Sequence, residues 1–75
     1  MIGCRVYIRE TSKYYGKAYT NPKETLGVVV EPDFNGTGWI GVNWSNGESN
    51  VYKKSDLKPA TKLDELLFFG EEDEI

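Results

Sequence analysis

Residues 39–53 read WIGVNWSNGESNVYK, and this stretch decides the fold. Ile40, Val42 and Trp44 alternate with other residues, which is the period-two pattern of a strand with one buried face. Asn46-Gly47 follows, and this dipeptide tolerates the positive φ angles of a type I′ turn. The rest of the stretch forms the return strand, so the sequence predicts an antiparallel hairpin with Trp44 in the core.

Strand-like segments flank this hairpin on both sides. The first alternates and places Cys4, Val6 and Ile8 on one face. The second is rich in valine and stops at Pro32, which has no N–H to donate to a ladder. A brief last segment contains Pro59, and proline is tolerated in a strand at a sheet edge. The further predicted strands are therefore residues 3–9, 26–31 and 58–60. About five short antiparallel strands predict a small all-β barrel over residues 1–60.

Residues 61–75 have a different character. Thr61 and Asp64 match a capping box, and an apolar run follows, which together predict a short helix. Gly70 is expected to end the helix, and residues 71–75, of which four are acidic, are expected to be mobile. The helix either covers one end of the barrel or acts as a docking segment, and its apolar residues are Leu63, Leu66, Leu67, Phe68 and Phe69.

Composition limits the possible functions. A chain of 75 residues holds one hydrophobic core. No apolar run is long enough for a bilayer and no secretory signal is visible, so we expect a cytoplasmic protein. Residues 1–60 carry 8 basic and 6 acidic residues, a net of 8 − 6 = +2, whereas residues 61–75 carry 1 and 6, a net of 1 − 6 = −5.

The chemistry-bearing residues are few. With no histidine, the usual nucleophilic and general acid-base sets cannot be assembled, so we expect no enzyme activity. Cys4 is the single cysteine, which excludes an intrachain disulfide and the usual zinc sets. We therefore expect no metal and no cofactor, and we interpret Cys4 as a small buried hydrophobe.

The long first loop is the main candidate for a binding site. Residues 9–23 lack strand periodicity and combine cations with tyrosines, whose rings offer an apolar face and a polar tip. Two further aromatic residues could flank the loop, although a tyrosine could instead cover the open end of the barrel. The candidate partner-binding residues are Arg9, Lys13, Tyr14, Tyr15, Lys17, Tyr19, Trp39 and Tyr52.

The order of these motifs resembles SH3-like barrels, and among them the repeat found in Mind bomb and HERC-type ubiquitin ligases. The similar positions include Gly27-Val28-Val29, the Val42–Gly47 segment, Val51-Tyr52 and Asp56-Leu57. The family has Trp-any-Trp-Gly in the first loop, where this chain has Tyr14-Tyr15-Gly16. The resemblance implies recognition of peptide segments and does not imply ligase activity. The size and composition also look like those of accessory proteins encoded by bacteriophages.

Three functional hypotheses follow. The leading one is a non-catalytic module that binds a protein or peptide through the first loop and the nearby aromatic residues. The second is a nucleic-acid-binding accessory protein, in which aromatic rings stack on bases and lysines contact phosphates. The third is an inhibitor of a host enzyme whose acidic tail mimics a polyanion. The tail itself loosely resembles the acidic and hydrophobic peptides by which phage replication and transcription proteins dock on a sliding clamp.

Overall fold

The chain folds into one antiparallel sheet with a C-terminal helix packed against it. The computed structural model describes residues 1–17 and 21–73. Within these residues, short 3₁₀ turns occupy Phe34–Gly36 and Lys54–Asp56. The strands and the helix are β1 (Arg5–Ile8), β2 (Gly27–Glu31), β3 (Ile40–Trp44), β4 (Ser49–Tyr52), β5 (Leu57–Pro59) and α1 (Lys62–Asp73).

The five strands are arranged in the order β4-β3-β2-β1-β5. Each neighbouring pair is antiparallel, so the last strand in the sequence returns to lie beside the first. This confirms the predicted small antiparallel sheet with a short C-terminal helix. The ladder ends at β4 on one side and at β5 on the other, so the hydrogen-bonded sheet of the described residues is open.

The central hairpin is confirmed, but its turn is of another type than predicted. Asn46 has no positive φ, whereas Gly47 has a φ of 92°. The Gly47 N–H donates to the Trp44 carbonyl at 3.0 Å, and the Trp44 N–H donates to the Glu48 carbonyl at 2.7 Å. This is a type I turn followed by a left-handed glycine, the next most common hairpin geometry after the primed two-residue turns.

The core lies on one face of the sheet, and its members come from every strand. Trp44 packs directly over Gly27, where a Cβ atom would collide with the indole ring. Glycine is therefore required at that position by close packing and not by backbone geometry. The buried apolar residues are Cys4, Val6, Ile8, Val29, Ile40, Val42, Trp44, Tyr52, Leu57 and Phe68.

Helix α1 is longer than the sequence predicts. It continues through Gly70 and ends at Asp73, so the prediction that Gly70 ends the helix is wrong. The expectation that residues 71–75 are mobile stays a prediction: residues 71–73 belong to the helix, and residues 74 and 75 lie outside the described part. A glycine costs about 1 kcal/mol inside a helix, which does not stop a helix that is already anchored. Over residues 1–17 and 21–73, no helix combines the length and the apolar character needed to cross a membrane.

Candidate functional site

Side-chain hydrogen bonds hold the first half of the long loop. The Ser12 hydroxyl donates to Asp56 Oδ1 at 3.1 Å, and the Tyr14 N–H donates to Ser12 Oγ at 3.1 Å. The Arg9 N–H donates to the Asp56 carbonyl at 2.8 Å. The loop is therefore fastened to the 3₁₀ turn that precedes β5, across more than forty residues of sequence.

The end of the loop that returns to β2 is fastened by a buried polar chain. The Trp44 Nε1–H donates to the Tyr52 hydroxyl at 3.0 Å, and that hydroxyl donates to Asn21 Oδ1 at 2.7 Å. Asn50 Nδ2 also donates to Asn21 Oδ1, at 3.1 Å. Desolvation by burial raises the pKa of Tyr52 to about 12, so this phenol stays protonated and can donate.

The sequence analysis predicts Tyr52 in a surface groove, and this prediction is wrong. The side chain of Tyr52 is fully buried. Its ring lies edge-on to Trp44, with 5.6 Å between centroids, and edge-on to Tyr14, at 6.0 Å. Tyr14 and Tyr15 are half-buried and pack against the core. Both tyrosines thus cover the core from the side of the loop, and each residue stays partly accessible. Whether one of them covers the open end of a barrel stays a prediction.

A surface cleft of about 440 Å³ opens beside the first loop. Tyr7 contributes from the outer face of β1, and Tyr15 contributes from the loop. The edge strand β5 and the residue that follows it also contribute to the lining. The lining residues of this tyrosine cleft are Tyr7, Ile8, Glu10, Tyr15, Glu24, Lys58, Pro59 and Ala60.

Two carboxylates set the electrostatics of the tyrosine cleft. Desolvation first, and then the negative charges of Glu24 and Glu10, raise the pKa of Tyr15. Glu24 has a φ of 54°, a left-handed conformation that is uncommon for residues other than glycine and often marks functional loops. Lys58 is the single cation that the described residues contribute to the lining, so carboxylates outnumber cations there.

The cations predicted for the site are dispersed. The Lys13 ammonium lies 5.3 Å from the ring centroid of Tyr14, and Lys17 is exposed. Arg9 lines a second groove between β5 and α1, which shares Lys58, Pro59 and Ala60 with the tyrosine cleft. Trp39 is half-buried, with the Lys53 ammonium 5.5 Å from its ring centroid, and it is not part of the tyrosine cleft. Tyr19 lies outside the described residues.

The predicted tail residues divide into two groups. Phe68 is buried in the core, and Phe69 is half-buried beside it, with 4.9 Å between the ring centroids. The Lys54 ammonium lies 5.4 Å and 5.2 Å from those two rings. Leu63, Leu66 and Leu67 are exposed. The phenylalanines therefore hold the helix on the sheet, while the leucines do not.

Several residues of the cleft were missed by sequence reasoning. The alternation of β1 indicates that Tyr7 points away from the core, which was a usable signal. Glu24 and Pro59 carried none, because only the pairing of β1 with β5 brings that edge beside the loop. In that register Tyr7 lies opposite Lys58.

Among residues 1–17 and 21–73, no group of three or more histidine, cysteine, aspartate or glutamate side chains is placed to hold a metal ion. Comparisons of the chain with protein-family models, with curated proteins and with solved structures gave no match.

Proposed function

We propose that this protein is a non-catalytic binding module that holds a segment of a partner protein in the tyrosine cleft. The observation that carries the proposal is the cleft itself, whose lining combines two half-buried tyrosines with the proline of an edge strand. Tyrosine gives a large contact area at a low entropic cost, and it is enriched at protein interfaces. The loop that supplies Tyr15 is held at both ends, so little order has to be created on binding.

The lining also suggests what kind of segment fits. The ring faces of Tyr7 and Tyr15 favour an apolar or aromatic side chain. The carboxylates of Glu10 and Glu24 favour a lysine or arginine beside it. The preferred ligand is therefore a peptide segment that carries an apolar residue next to a basic one.

Nucleic-acid binding is less well supported. Glu10 and Glu24 line the same cleft and would repel phosphate. Lys13, Lys53 and Lys54 each lie over an aromatic ring that does not line this cleft. A gel-shift titration with single-stranded DNA and RNA at low salt tests this alternative, and saturable binding that is lost on raising the salt would favour it over the peptide proposal.

The proposal is tested by selection from a displayed library of random peptides. We expect the wild-type protein to enrich peptides that pair an apolar residue with a basic one. Tyr15→Ser and Tyr7→Ser should each weaken those peptides about tenfold, or about 1.4 kcal/mol. Phe34→Ser is the matched control, because Phe34 is an exposed aromatic residue outside the cleft. A lack of enrichment, or equal binding by the cleft variants, contradicts the proposal.

The finer architecture belongs to the same proposal. We infer that the open sheet curls into an SH3-like barrel, as the motifs of the resemblance imply, in a cytoplasmic accessory protein. Two features support this inference: the return of β5 to β1, and the 3₁₀ turn at Lys54–Asp56 between β4 and β5. Inter-strand contacts in an NMR structure test it, and a flat sheet with widely separated edges would contradict it.

A further inference from the structure

Helix α1 exposes the residues that an amphipathic helix normally buries. Leu63, Leu66 and Leu67 are 62%, 60% and 47% exposed. Their spacing of three and four residues places them together on one side of the helix. We call this surface the leucine face.

A buried carboxylate determines which side of the helix meets the sheet. Asp64 is 2% exposed and receives the Arg5 N–H at 3.0 Å and the Thr61 hydroxyl at 2.7 Å. Arg5 Nε lies 3.3 Å from the same carboxylate, and the Cys4 thiol donates to the Asp64 carbonyl at 3.2 Å. The thiol stays protonated, because desolvation raises the pKa of Cys4.

Phe68 lies one turn after Asp64 and completes the contact with the core. A rotation that buried the leucines would remove Asp64 from Arg5 and Phe68 from its neighbours. The fold is therefore complete without the leucine face. Three adjacent exposed leucines in a domain this small are a feature of interaction surfaces.

The charge of the helical segment restricts what can cover the leucine face. Residues 61–75 contain one lysine and six acidic residues, a net of 1 − 6 = −5. Glu65 is exposed on another side of the helix, where it lines the groove beside Phe69. Four further acidic residues follow Gly70 in the sequence. A second copy of the chain would bring two such segments together, and an anionic membrane would also repel them. A basic protein surface is complementary.

We propose that the leucine face is a docking surface for a partner protein whose apolar groove is bordered by lysine and arginine. The helix would lie in that groove with its three leucines as anchors, which is a common mode of helix recognition. The acidic residues would steer the encounter and contact the basic rim. This surface is distinct from the tyrosine cleft, since the two have no lining residue in common.

The probe for the test is a synthetic amphipathic helical peptide with leucines on one side and lysines on the other. Its twin has glutamate in place of lysine. In NMR titrations of the full chain, we expect the lysine peptide to shift the amide signals of residues 62–69 saturably and to bind at least tenfold more tightly than its twin. Binding should weaken as salt is raised.

Matched variants locate the contact. Leu63→Gln, Leu66→Gln and Leu67→Gln together should weaken the lysine peptide at least tenfold with an unchanged fold. Val28→Gln with Val30→Gln, which alters exposed valines of β2, and Tyr15→Ser should leave binding unchanged. The Tyr15→Ser result separates this proposal from the tyrosine cleft, because either surface can fail without the other.

Four results would overturn the proposal. The first is that the lysine peptide leaves the amide signals of residues 62–69 unshifted. The second is that it binds the triple glutamine variant as tightly as the wild type. Leucine-dependent self-association in sedimentation would assign the face to a second copy. Leucine-dependent binding to phosphatidylserine vesicles that is tighter than binding to the lysine peptide would assign the leucine face to a membrane.

Discussion

The first loop and helix α1 cover the same sheet by opposite means. The loop turns its tyrosine rings toward the core and is held by the hydroxyls and amides of Ser12, Tyr52 and Asn21. The helix turns an acid toward the core and leaves three leucines in water. In both regions a few buried polar contacts, and not the count of apolar residues, decide which side chains remain available for a partner.

Removing the buried apolar anchor of the helix should have the largest effect. Phe68→Ala leaves a cavity under α1, and we expect a loss of about 3 to 5 kcal/mol in the free energy of unfolding. Urea denaturation followed by tryptophan fluorescence measures it. If this variant does not fold, Phe68→Leu is measured in its place, with an expected loss of about 1.5 kcal/mol in the free energy of unfolding. A loss no greater than that of Phe34→Ala, at an exposed aromatic residue, would show that the helix does not depend on this contact.

The polar anchor of the helix ranks second. Asp64→Ala leaves the Arg5 N–H and the Thr61 hydroxyl without their acceptor, and we expect a loss of about 2 to 3 kcal/mol in unfolding free energy. Glu65→Ala, at the adjacent exposed acid, should change stability by less than about 0.5 kcal/mol. Equal effects of the two substitutions would mean that Asp64 does not orient the helix.

The same anchor should give the protein an acid-sensitive component of stability. The hydrogen bond from Thr61, and then the contacts with Arg5, lower the pKa of Asp64. Its contribution is therefore complete above the unfolded carboxyl pKa of about 3.9 and is lost as the pH falls through the lowered folded value. Between pH 5 and pH 2, unfolding free energy should fall less in Asp64→Asn than in the wild type. Parallel pH profiles for the two proteins would exclude this role.

The polar chain of the loop should have a smaller effect. Tyr52→Phe keeps the ring but removes the hydroxyl between Trp44 and Asn21, and we expect a loss of about 1 to 2 kcal/mol. Faster amide exchange in residues 21–26 should accompany it, because this end of the loop loses one of its attachments. Tyr7→Phe, on the outer face of the sheet, is the matched control. Unchanged exchange in Tyr52→Phe would indicate that the loop is held by other contacts.

The smallest effect is expected where sequence hydrophobicity would suggest a large one. Leu66→Gln should change the free energy of unfolding by less than about 0.5 kcal/mol, because Leu66 is 60% exposed. Thermal denaturation of Leu66→Gln and Phe68→Ala under the same conditions compares their losses of stability directly. A loss above about 2 kcal/mol would mean that the leucine face is buried in solution.

The strands were predictable because alternation reports burial when only one face of a sheet is covered. The pattern identified β1 to β4 within a residue or two, and it identified Cys4, Val6, Ile8 and Trp44 as core. The position of Tyr52 was not predicted, because a tyrosine after a turn suits a groove as well as a core. Only the hydroxyl contacts with Trp44 and Asn21 distinguish the two.

The helix shows the limit of pattern reading more clearly. The capping box of Thr61 and Asp64 was visible, and one half of it forms, because the Asp64 N–H donates to the Thr61 hydroxyl. The Thr61 hydroxyl in turn donates to the Asp64 carboxylate. Asp64 also accepts a hydrogen bond from the Arg5 N–H, and this contact depends on a strand about sixty residues away in the sequence. Hydrophobic spacing alone could not indicate that an aspartate and not the leucines would face the sheet.

Solvent paramagnetic relaxation of the methyl groups is the most direct measurement of the orientation of α1. With a neutral gadolinium chelate in solution, we expect the methyl signals of Leu63, Leu66 and Leu67 to be strongly broadened. Those of Val6, Val29 and Val42 should be protected, since these side chains are fully or almost fully buried. Leucine methyls protected to the same degree as those valines would contradict the account.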